Sequence, residues 1–332
     1  MANDLPNSTS VIRGVGSYLP AEVVDNLKLS EKVDTSDEWI TSRTGIKERR
    51  IASENEATSD LAFHAAQNAL LDSGFTAQDI DLIIVATITP DMAFPSTACL
   101  IQHKLGIPKV ACFDIEAACS GFLYALDIAD GMLSSKRYKC ALVVGAEKLS
   151  SIMDWEDRTT CVLFGDGAGA AIITNSGGGS QLIGFKSGAD GSNPTLLHQP
   201  AGGSLQPASS DSLTNRGHFL KMNGREIFKS AVRVMERAAR ELLAEHGFSE
   251  NDVDHVIPHQ ANARIVESLS QRLKIPLEKF FCNLDKYGNT SAASIPIALD
   301  EARRASILKN GQLGLLVAFG AGLTWSAVLV RF

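Results

Sequence analysis

Short apolar runs alternate with longer amphipathic stretches along the chain. Runs with the length of a β-strand lie at 11–17, 80–87, 110–117, 140–145, 169–174, 253–257, 279–284, 313–319 and 326–332. Helical periodicity extends over 59–72, 120–133, 224–246 and 292–308. Strands that are apolar throughout are typical of a sheet covered on both faces by helices. The pattern therefore predicts an α/β fold around a largely buried central sheet.

The two ends of the chain carry similar patterns in the same order. Three pairs of segments correspond: LLDSGFTAQDIDLII (70–84) with LLAEHGFSENDVDHVI (242–257), QHKLGIP (102–108) with SQRLKIP (270–276), and FGDGAG (164–169) with FGAG (319–322). The first pair aligns Asp81 with Asp254, which defines the aspartate offset. A slightly shorter spacing, the cysteine offset, aligns Cys112 with Cys282. The shared order and near-constant spacing predict a duplicated α/β unit.

The duplication predicts where the halves begin and end. We expect an N-terminal half over residues 1–175 and a C-terminal half over residues 218–332. The segment between them, 176–217, is rich in Gly, Ser, Asn and Pro. We interpret it as a connecting or cover region that contains one strand, at 181–186.

Composition narrows the class of protein. Among 332 residues, 31 Lys and Arg against 38 Asp and Glu give a formal net charge of −7, which is unfavourable for binding the phosphates of nucleic acid. The six cysteines form no C-x-x-C pair, so neither a disulfide framework nor a metal site is predicted. No apolar run has the length of a membrane span, and the first residues lack the pattern of a signal peptide. We expect a cytoplasmic protein with no nucleic-acid or membrane partner.

Three polar side chains lie beside predicted strands in the two halves. The cysteine offset pairs Cys119 with Asn289, each after a strand and before a helix. The aspartate offset places His259 at the end of its strand. Ligands gather at the ends of central strands in such sheets. We therefore expect the three side chains to converge at the junction of the halves.

Each of these residues has a chemical and a structural interpretation. Cys119 is the candidate nucleophile, because the positive end of a helix stabilises a thiolate and lowers the pKa of a cysteine. The alternative is a small cysteine packed on the sheet. His259 follows Pro258 into a polar loop and is either a catalytic or a structural imidazole. Asn289 either contacts a substrate or caps a helix.

Two other patterns bear on ligand and partner binding. The glycine clusters at 165–169 and 320–322 lack the spacing of a dinucleotide loop. Such glycines more often allow a close backbone approach or supply a backbone N–H to an oxyanion. Basic residues follow one face of the predicted helix 224–246, at Arg225, Lys229, Arg233, Arg237 and Arg240. This basic stripe is either a solvated face or a docking surface for an acidic partner.

Eight segments together resemble one enzyme family. They are DTSDEWITSRTGIKERR (34–50), AFPSTAC (93–99), EAACSGF (116–122), FGDGAGAA (164–171), MNGREIFK (222–229), PHQAN (258–262), GNTSAAS (288–294) and AFGAGLTW (318–325). The chain is similar from about residue 10 onward to the β-ketoacyl-acyl-carrier-protein synthase III family, initiating condensing enzymes of type II fatty-acid synthesis in the thiolase superfamily. The resemblance implies a thiolase-like five-layered α-β-α-β-α fold made of two similar halves, and a homodimer.

The resemblance also implies roles for individual residues. The catalytic set is Cys119, His259 and Asn289, and the oxyanion hole consists of the N–H groups of Cys119 and Ala321. Residues that contact coenzyme A or the acyl substrate are Trp39, Arg43, Arg158, Gly224, Phe228, Ala261 and Phe94, the last reaching the acyl pocket of a partner subunit. Residues that contact the carrier protein are Gln260, Ala261, Asn262, Ala263, Arg264 and Lys229.

The implied reaction is a decarboxylative Claisen condensation. A short acyl-CoA, with acetyl-CoA as the first choice, and malonyl-acyl carrier protein give 3-ketoacyl-acyl carrier protein, CoA and CO₂. No cofactor and no metal are expected, since acyl-CoA is a substrate. The alternatives are a same-fold acyltransferase or condensing enzyme of secondary metabolism, a thiol hydrolase, and a non-catalytic binding protein.

Three features depart from the pattern of the family. The end of the chain, WSAVLVRF (325–332), differs from the Gly-Ser that commonly follows the tryptophan in the family. Ala321 replaces a glycine at the oxyanion hole, and alanine tolerates a positive φ poorly. Gln271 replaces a basic residue on the expected docking face, beside Arg272.

Overall fold

The computed structural model of the chain describes residues 10–332. Its strands are β1 (Val11–Tyr18), β2 (Glu22–Asp25), β3 (Glu48–Ile51), β4 (Leu82–Ala86), β5 (Ala111–Ile115), β6 (Cys140–Glu147), β7 (Gly167–Thr174), β8 (Ser180–Ala189), β9 (Leu197–His198), β10 (Lys221–Met222), β11 (His255–Pro258), β12 (Leu313–Gly320) and β13 (Thr324–Arg331). Its helices are α1 (Asn26–Ser30), α2 (Asp37–Thr44), α3 (Thr58–Ser73), α4 (Thr97–Lys104), α5 (Gly121–Ser134), α6 (Ser210–Thr214), α7 (Gly224–Glu245), α8 (Ala263–Leu273), α9 (Leu284–Tyr287) and α10 (Ser294–Arg304). Within this described part, no helix is both long enough and apolar enough to cross a bilayer.

One nine-stranded sheet runs through the molecule in the order β11-β12-β13-β8-β1-β7-β6-β4-β5. In its N-terminal part, β4 is parallel to β5 and β6, and β7 is antiparallel to β6 and β1. In its C-terminal part, β11 is parallel to β12, and β13 is antiparallel to β12 and β8. The two parts share one topology, and they join where Val11 and Ile12 pair with Gln181 and Ser180.

Corresponding carboxylates fix the start of the same strands in each half. Asp81, before β4, accepts hydrogen bonds from the backbone N–H groups of Lys139 and Cys140 at 2.8 and 3.1 Å. Asp254, before β11, accepts from the N–H of Leu313 at 2.8 Å. Cys140 and Leu313 begin β6 and β12, so the same contact recurs at the aspartate offset. The duplication expected from the sequence is confirmed at the level of single hydrogen bonds.

Five layers follow from the way in which the helices cover the sheet. Residues of α5 and α10, such as Leu126 and Ile295, pack in one buried cluster with strand residues from both halves. Helices α3 and α4 cover the outer face of the N-terminal part, where Leu61 is fully buried. Helices α7 and α8 cover the outer face of the C-terminal part through Leu242 and Leu269. The expected α-β-α-β-α arrangement is confirmed.

Two glycines let the central helices approach the sheet closely. Gly145 of β6 lies against the backbone carbonyl of Ala292, in the turn before α10. Gly169 of β7 lies under α10, and a Cβ there would be only 2.8 Å from the backbone nitrogen of Ile297. Side chains at these two positions would push α10 and the turn before it away from β6 and β7.

The strand expected over 279–284 does not form, so this prediction is wrong. Only Phe280 makes an isolated bridge, to Val256 of β11. The backbone N–H of Asn283 donates instead to the side-chain oxygen of Gln260, at 3.0 Å. Apolar content alone therefore predicts a longer strand than forms, because the backbone N–H of Asn283 bonds to a side chain and not to a neighbouring strand.

The segment 176–217 contains more regular structure than its composition indicates. The strand expected at 181–186 is present and extends over ten residues as β8, between β13 and β1 in the sheet. Two short elements follow β8 in the segment: β9, which pairs with β10 beyond the segment, and the helix α6. The limits of the halves at 175 and 217 stay predictions.

Candidate active site

Cys119 lies in a short 3-10 turn, Ala118–Ser120, that leads directly into α5. The preceding residue, Ala118, has a φ of +47°, a conformation that L-residues rarely adopt. Gly320, at the end of β12, packs against this turn so closely that a Cβ would lie 2.7 Å from the backbone nitrogen of Cys119. The thiol is therefore held between the positive end of α5 and the end of a central strand.

Burial sets the acidity of this thiol. Cys119 is only 8% exposed, and burial raises its pKa to about 12, with a further upward contribution from the charge of Glu147. Burial therefore opposes the lowering of the pKa that the sequence argument expected from the helix.

His259 follows β11 and continues its ladder, because its backbone N–H donates to the carbonyl of Val317 at 2.8 Å. The ring is buried, and its Nδ1 is 2.7 Å from the hydroxyl oxygen of Ser294 in the first turn of α10. Burial lowers the pKa of the imidazole to about 3. The ring is therefore neutral at physiological pH and can donate one N–H.

Asn289 is fixed by its backbone and by one side-chain bond. Its N–H donates to the carbonyl of Leu163 at 2.8 Å, and its own carbonyl accepts from the N–H of Gly165 at 3.0 Å. The side-chain oxygen accepts from the N–H of Ser291 at 2.8 Å. Since a backbone N–H can only donate, the oxygen of the amide must face Ser291. The NH₂ group is left to donate elsewhere.

The three side chains line one narrow cavity of about 120 Å³. Its other walls are largely apolar and include Phe228 and Ile227 of α7. A second, wider cavity of about 880 Å³ also reaches Cys119. The thiol of Cys119 therefore lies where the narrow cavity meets the wide cavity.

The spacing that paired Cys119 with Asn289 is wrong, although the convergence holds. Ala118 and Ser291 have the same unusual φ, +47° and +49°, and are separated by the aspartate offset. The first residues of α5 and α10 are separated by the same offset. The structural counterpart of Cys119 is therefore Ala292. The cysteine offset also fails at Cys112: this residue pairs with Ile83 of β4, and the residue that corresponds to Ile83, Val256 of β11, bridges Phe280 rather than Cys282.

The residues expected to contact coenzyme A fall into two groups. Gly224, Phe228 and Ala261 line the narrow cavity. Trp39 lies outside it, with the guanidinium carbons of Arg43 and Arg158 at 4.5 and 5.4 Å from its ring centroid. This group borders the cavity, because the side-chain amide of Asn262, a lining residue, donates to the carbonyl of Arg43 at 3.1 Å.

Phe94 and Ala321 both line the wide cavity. Phe94 is 85% exposed, which is unusual for so large an apolar side chain. Ala321 is not among the described residues with a positive φ, so alanine fits the backbone at this position without strain. Its carbonyl accepts from the hydroxyl of Thr324 at 3.0 Å, which fixes the segment beside Cys119.

The expected contacts with a carrier protein divide by exposure. Lys229 and Arg264 are exposed, whereas Ala261, Asn262 and Ala263 are half-buried. Gln260 is buried, and its side-chain nitrogen donates to the carbonyls of Pro258 and Phe281 at 2.7 and 3.2 Å. The role of Gln260 is therefore corrected: it supports the loop after β11 and offers no surface to a partner.

The basic stripe is only partly free to bind a partner. Arg240 is paired with Glu236 and Glu250, and Arg237 lies 4.0 Å from Glu241. The end of α7 nearest the narrow cavity is more open, since its lysine, Lys229, is paired only with a glutamate of the same helix.

Sequence reasoning missed Glu147, at the end of β6. This carboxyl is fully buried, and one of its oxygens accepts from the hydroxyls of Thr87 and Thr89 at 3.1 and 2.7 Å and from the N–H of Ile88 at 3.1 Å. Burial raises its pKa to about 7. The available signal was a glutamate directly after an apolar run that forms a fully buried strand.

The arrangement can carry out acyl transfer. It combines a buried thiol nucleophile, two buried neutral N–H donors and the backbone N–H groups around Cys119. Within residues 10–332, no cluster of three or more His, Cys, Asp or Glu side chains is placed to hold a metal ion.

Comparisons with known proteins agree on one family. The model of 3-Oxoacyl-[acyl-carrier-protein (ACP)] synthase III matches residues 113–191, and that of its C terminal matches residues 243–332. The chain is 53% identical over 321 residues to a β-ketoacyl-acyl-carrier-protein synthase III from Caldanaerobacter subterraneus subsp. tengcongensis, covering 97% of each chain. A crystal structure of 3-oxoacyl-acyl-carrier-protein synthase III from Aquifex aeolicus VF5 is 52% identical with a TM-score of 0.90, covering 97% of this chain and 100% of that one.

His259 should stay neutral across the physiological range, because burial opposes its protonation. We expect the NMR shift of its Cε1–H group to be constant between about pH 5 and pH 8. The resonance is assigned by its loss in His259→Gln. A titration midpoint inside that range would contradict a buried, neutral imidazole.

Proposed function

Because the chain belongs to the β-ketoacyl-acyl-carrier-protein synthase III family, we propose that it condenses a short acyl-CoA with malonyl-acyl carrier protein to initiate fatty-acid synthesis. The products are 3-ketoacyl-acyl carrier protein, CoA and CO₂. The observation that carries the proposal is the single cavity lined by Cys119, His259 and Asn289. No cofactor enters the reaction, since acyl-CoA is a substrate.

The first stage transfers the acyl group to the protein. The sulfur of Cys119 attacks the thioester carbonyl, and the bond from carbon to the sulfur of CoA breaks as CoA leaves. The negative charge on the carbonyl oxygen is stabilised by the N–H groups of Cys119 and Ala321. Both residues line the wide cavity, which supports their acting together.

The second stage forms the new carbon–carbon bond. The thioester carbonyl of malonyl-acyl carrier protein accepts hydrogen bonds from Nε2 of His259 and the side-chain NH₂ of Asn289. Loss of CO₂ leaves an enolate that these donors stabilise, and its carbon attacks the acyl group on Cys119. The Ser294 hydroxyl accepts from the N–H of Gln260 at 3.5 Å, so its own proton can point to Nδ1 and leave the ring proton on Nε2.

Coenzyme A is placed by residues at the entrance of the narrow cavity and along it. Trp39 and Arg158 present flat faces to an adenine ring, and Arg43 lies beside them to meet phosphates. The pantetheine arm then extends past Gly224, Phe228 and Ala261 to Cys119. The narrowness and apolar lining of that cavity favour a thin, extended group.

The intact mass of the protein tests the cycle. After incubation with acetyl-CoA, we expect the mass to rise by one acetyl group, and malonyl-acyl carrier protein should then remove it as 3-ketoacyl-acyl carrier protein forms. Cys119→Ala should gain no acetyl group. Asn289→Ala should still be acetylated but should lose most of the decarboxylation, because only the second stage uses its NH₂ donor.

Equal loss of both stages in Asn289→Ala would contradict this division of roles. Acetylation followed by release of free acid without malonate would favour a thiol hydrolase. Acyl transfer from CoA without use of malonyl-acyl carrier protein would favour a same-fold acyltransferase of secondary metabolism.

The carrier protein is proposed to dock beside the mouth of the narrow cavity. Lys229 and Arg264 are exposed there, and Arg264 is held by a 2.8 Å bond to the carbonyl of Ser42. A positive surface on a chain of net charge −7 attracts an acidic partner.

Reversal of those charges should weaken docking without slowing the first stage. In Lys229→Glu and Arg264→Glu, we expect the KM for malonyl-acyl carrier protein to rise about tenfold. Acetylation by acetyl-CoA should stay unchanged. Lys309→Glu, an exposed charge near the start of β12 and away from the site, is the matched control. An equal effect in that control, or an unchanged KM, would refute the docking surface.

The chain is proposed to act as a homodimer in which Phe94 closes the acyl pocket of the partner subunit. The 85% exposure of Phe94 beside a cavity of about 880 Å³ supports this, because a second subunit would cover both.

Sedimentation should give a mass of twice 35.5 kDa. Phe94→Ala should accept longer acyl-CoA starters at the same oligomeric mass, since it only enlarges the pocket. A monomer that retains full activity would contradict the dimer, and an unchanged range of starters would contradict the role of Phe94.

A further inference from the structure

The first stage of the proposed reaction needs an acceptor for the proton of the Cys119 thiol. Because burial raises the pKa of this thiol to about 12, it does not ionise unaided at neutral pH. His259 is poorly suited to take the proton, since its Nδ1 is bonded to Ser294 and its Nε2 must donate in the second stage. The acceptor must therefore come from another element.

Three buried oxygen atoms beside this site have no hydrogen-bond partner among the described residues. One is the hydroxyl oxygen of Ser120, directly after Cys119. The other two are the hydroxyl oxygen of Ser291 and Oε1 of Glu147, the oxygen that the threonines and Ile88 do not use. All three residues are almost completely buried. Unpartnered polar atoms are costly in such a position and are often associated with catalysis.

Ser291 is close to both the thiol and the carboxyl. It lines the wide cavity together with Cys119, and the turns that contain the two residues contact each other. Its hydroxyl interacts favourably with the ionised forms of both Cys119 and Glu147, lowering the pKa of each. A hydroxyl in this position can accept one proton and release another, which is what a relay requires.

We propose that Glu147 accepts the proton of the Cys119 thiol through the Ser291 hydroxyl while the acyl group is transferred. The inference rests on the proposed function and deepens its first stage. As the bond from Cys119 sulfur to the acyl carbon forms, the thiol proton passes to Ser291, and the Ser291 proton passes to Oε1 of Glu147. When the bond to CoA breaks, the same path returns a proton to the leaving sulfur, so that CoA departs as a thiol.

The surroundings of Glu147 leave few groups that could disturb its titration. Neutral donors face it from the segment after β4, and Ser291 faces it from the turn before α10. The Cys119 thiol is the titratable group that interacts with it across the site. Lys148, next in the chain, points away, with its Nζ bonded to the carbonyls of Ser53 and Glu56.

Glu147→Gln separates the proposal from simple electrostatics, because the two predict opposite signs. The substitution keeps the shape and an oxygen for the three existing donors, but it removes the acceptor. We expect the rate of Cys119 acetylation, followed by intact mass at about pH 8, to fall by about a hundredfold. Without a relay, loss of the negative charge that raises the pKa of Cys119 would make acetylation faster. An unchanged or increased rate would overturn the proposal.

The pH profile supplies a readout that a merely structural role would not move. Since burial raises the pKa of Glu147 to about 7, the acceptor is ionised above that pH, and acetylation should increase with pH through a midpoint near it. Thr89→Val removes a donor that stabilises the carboxylate, so the midpoint should move to higher pH. Glu147→Gln should abolish this transition. A midpoint that is the same in all three proteins would overturn the proposal.

Asp166→Asn is the matched control for a buried carboxyl. Asp166 is fully buried and accepts from the hydroxyl and N–H of Ser150 and the N–H of Ala52, outside the catalytic cavity. Its loss should leave the midpoint unchanged even if the protein becomes less stable. Wild-type protein that no starter acylates would refute the proposed function instead. In that case, alkylation of Cys119 by iodoacetamide, which needs no acyl-CoA, tests the relay with the same expected signs.

Discussion

The structure of the site depends on one constraint: the turns that lead into α5 and α10 pack closely together between the two similar halves of the sheet. The turns before α5 and α10 carry the same rare backbone conformation at Ala118 and Ser291. Gly145 and Gly169 leave room for the second turn and its helix against the strands. At the turn before α5, Gly320 lets the end of β12 lie equally close to the backbone of Cys119. The catalytic geometry is thus a product of backbone packing before any side chain is considered.

Burial is the second determinant of the site, and it favours the neutral form of Cys119, Glu147 and His259 alike. It raises the pKa of the thiol of Cys119 and of the carboxyl of Glu147, and it lowers that of His259. Each group is thereby held closer to its neutral form than it would be in water. A site in which charges are unfavourable at rest can stabilise charge that develops only during the reaction, because its dipoles are already oriented.

The sequence was sufficient for the fold class, because buried strands, amphipathic helices and the repeat at the aspartate offset are visible as patterns. It also predicted that Cys119, His259 and Asn289 converge. The offset that paired Cys119 with Asn289 was wrong, because insertions between motifs change the alignment of the two halves, and the sequence alone does not locate those insertions. The burial of Gln260 was not predictable, since a polar residue in a polar loop looks exposed. Glu147 was missed because one glutamate after a strand carries no pattern of its own.

The match between Cys119 and Ala292 has a consequence for how duplication and function are related in this chain. Both halves build the same turn at the start of a helix, yet one presents a sulfur atom and the other a methyl group. The methyl carbon of Ala292 instead packs toward Gly121, where a Cβ would lie 3.6 Å away. The symmetry of the backbone therefore does not extend to the side chains, and only one of the two equivalent turns offers a thiol.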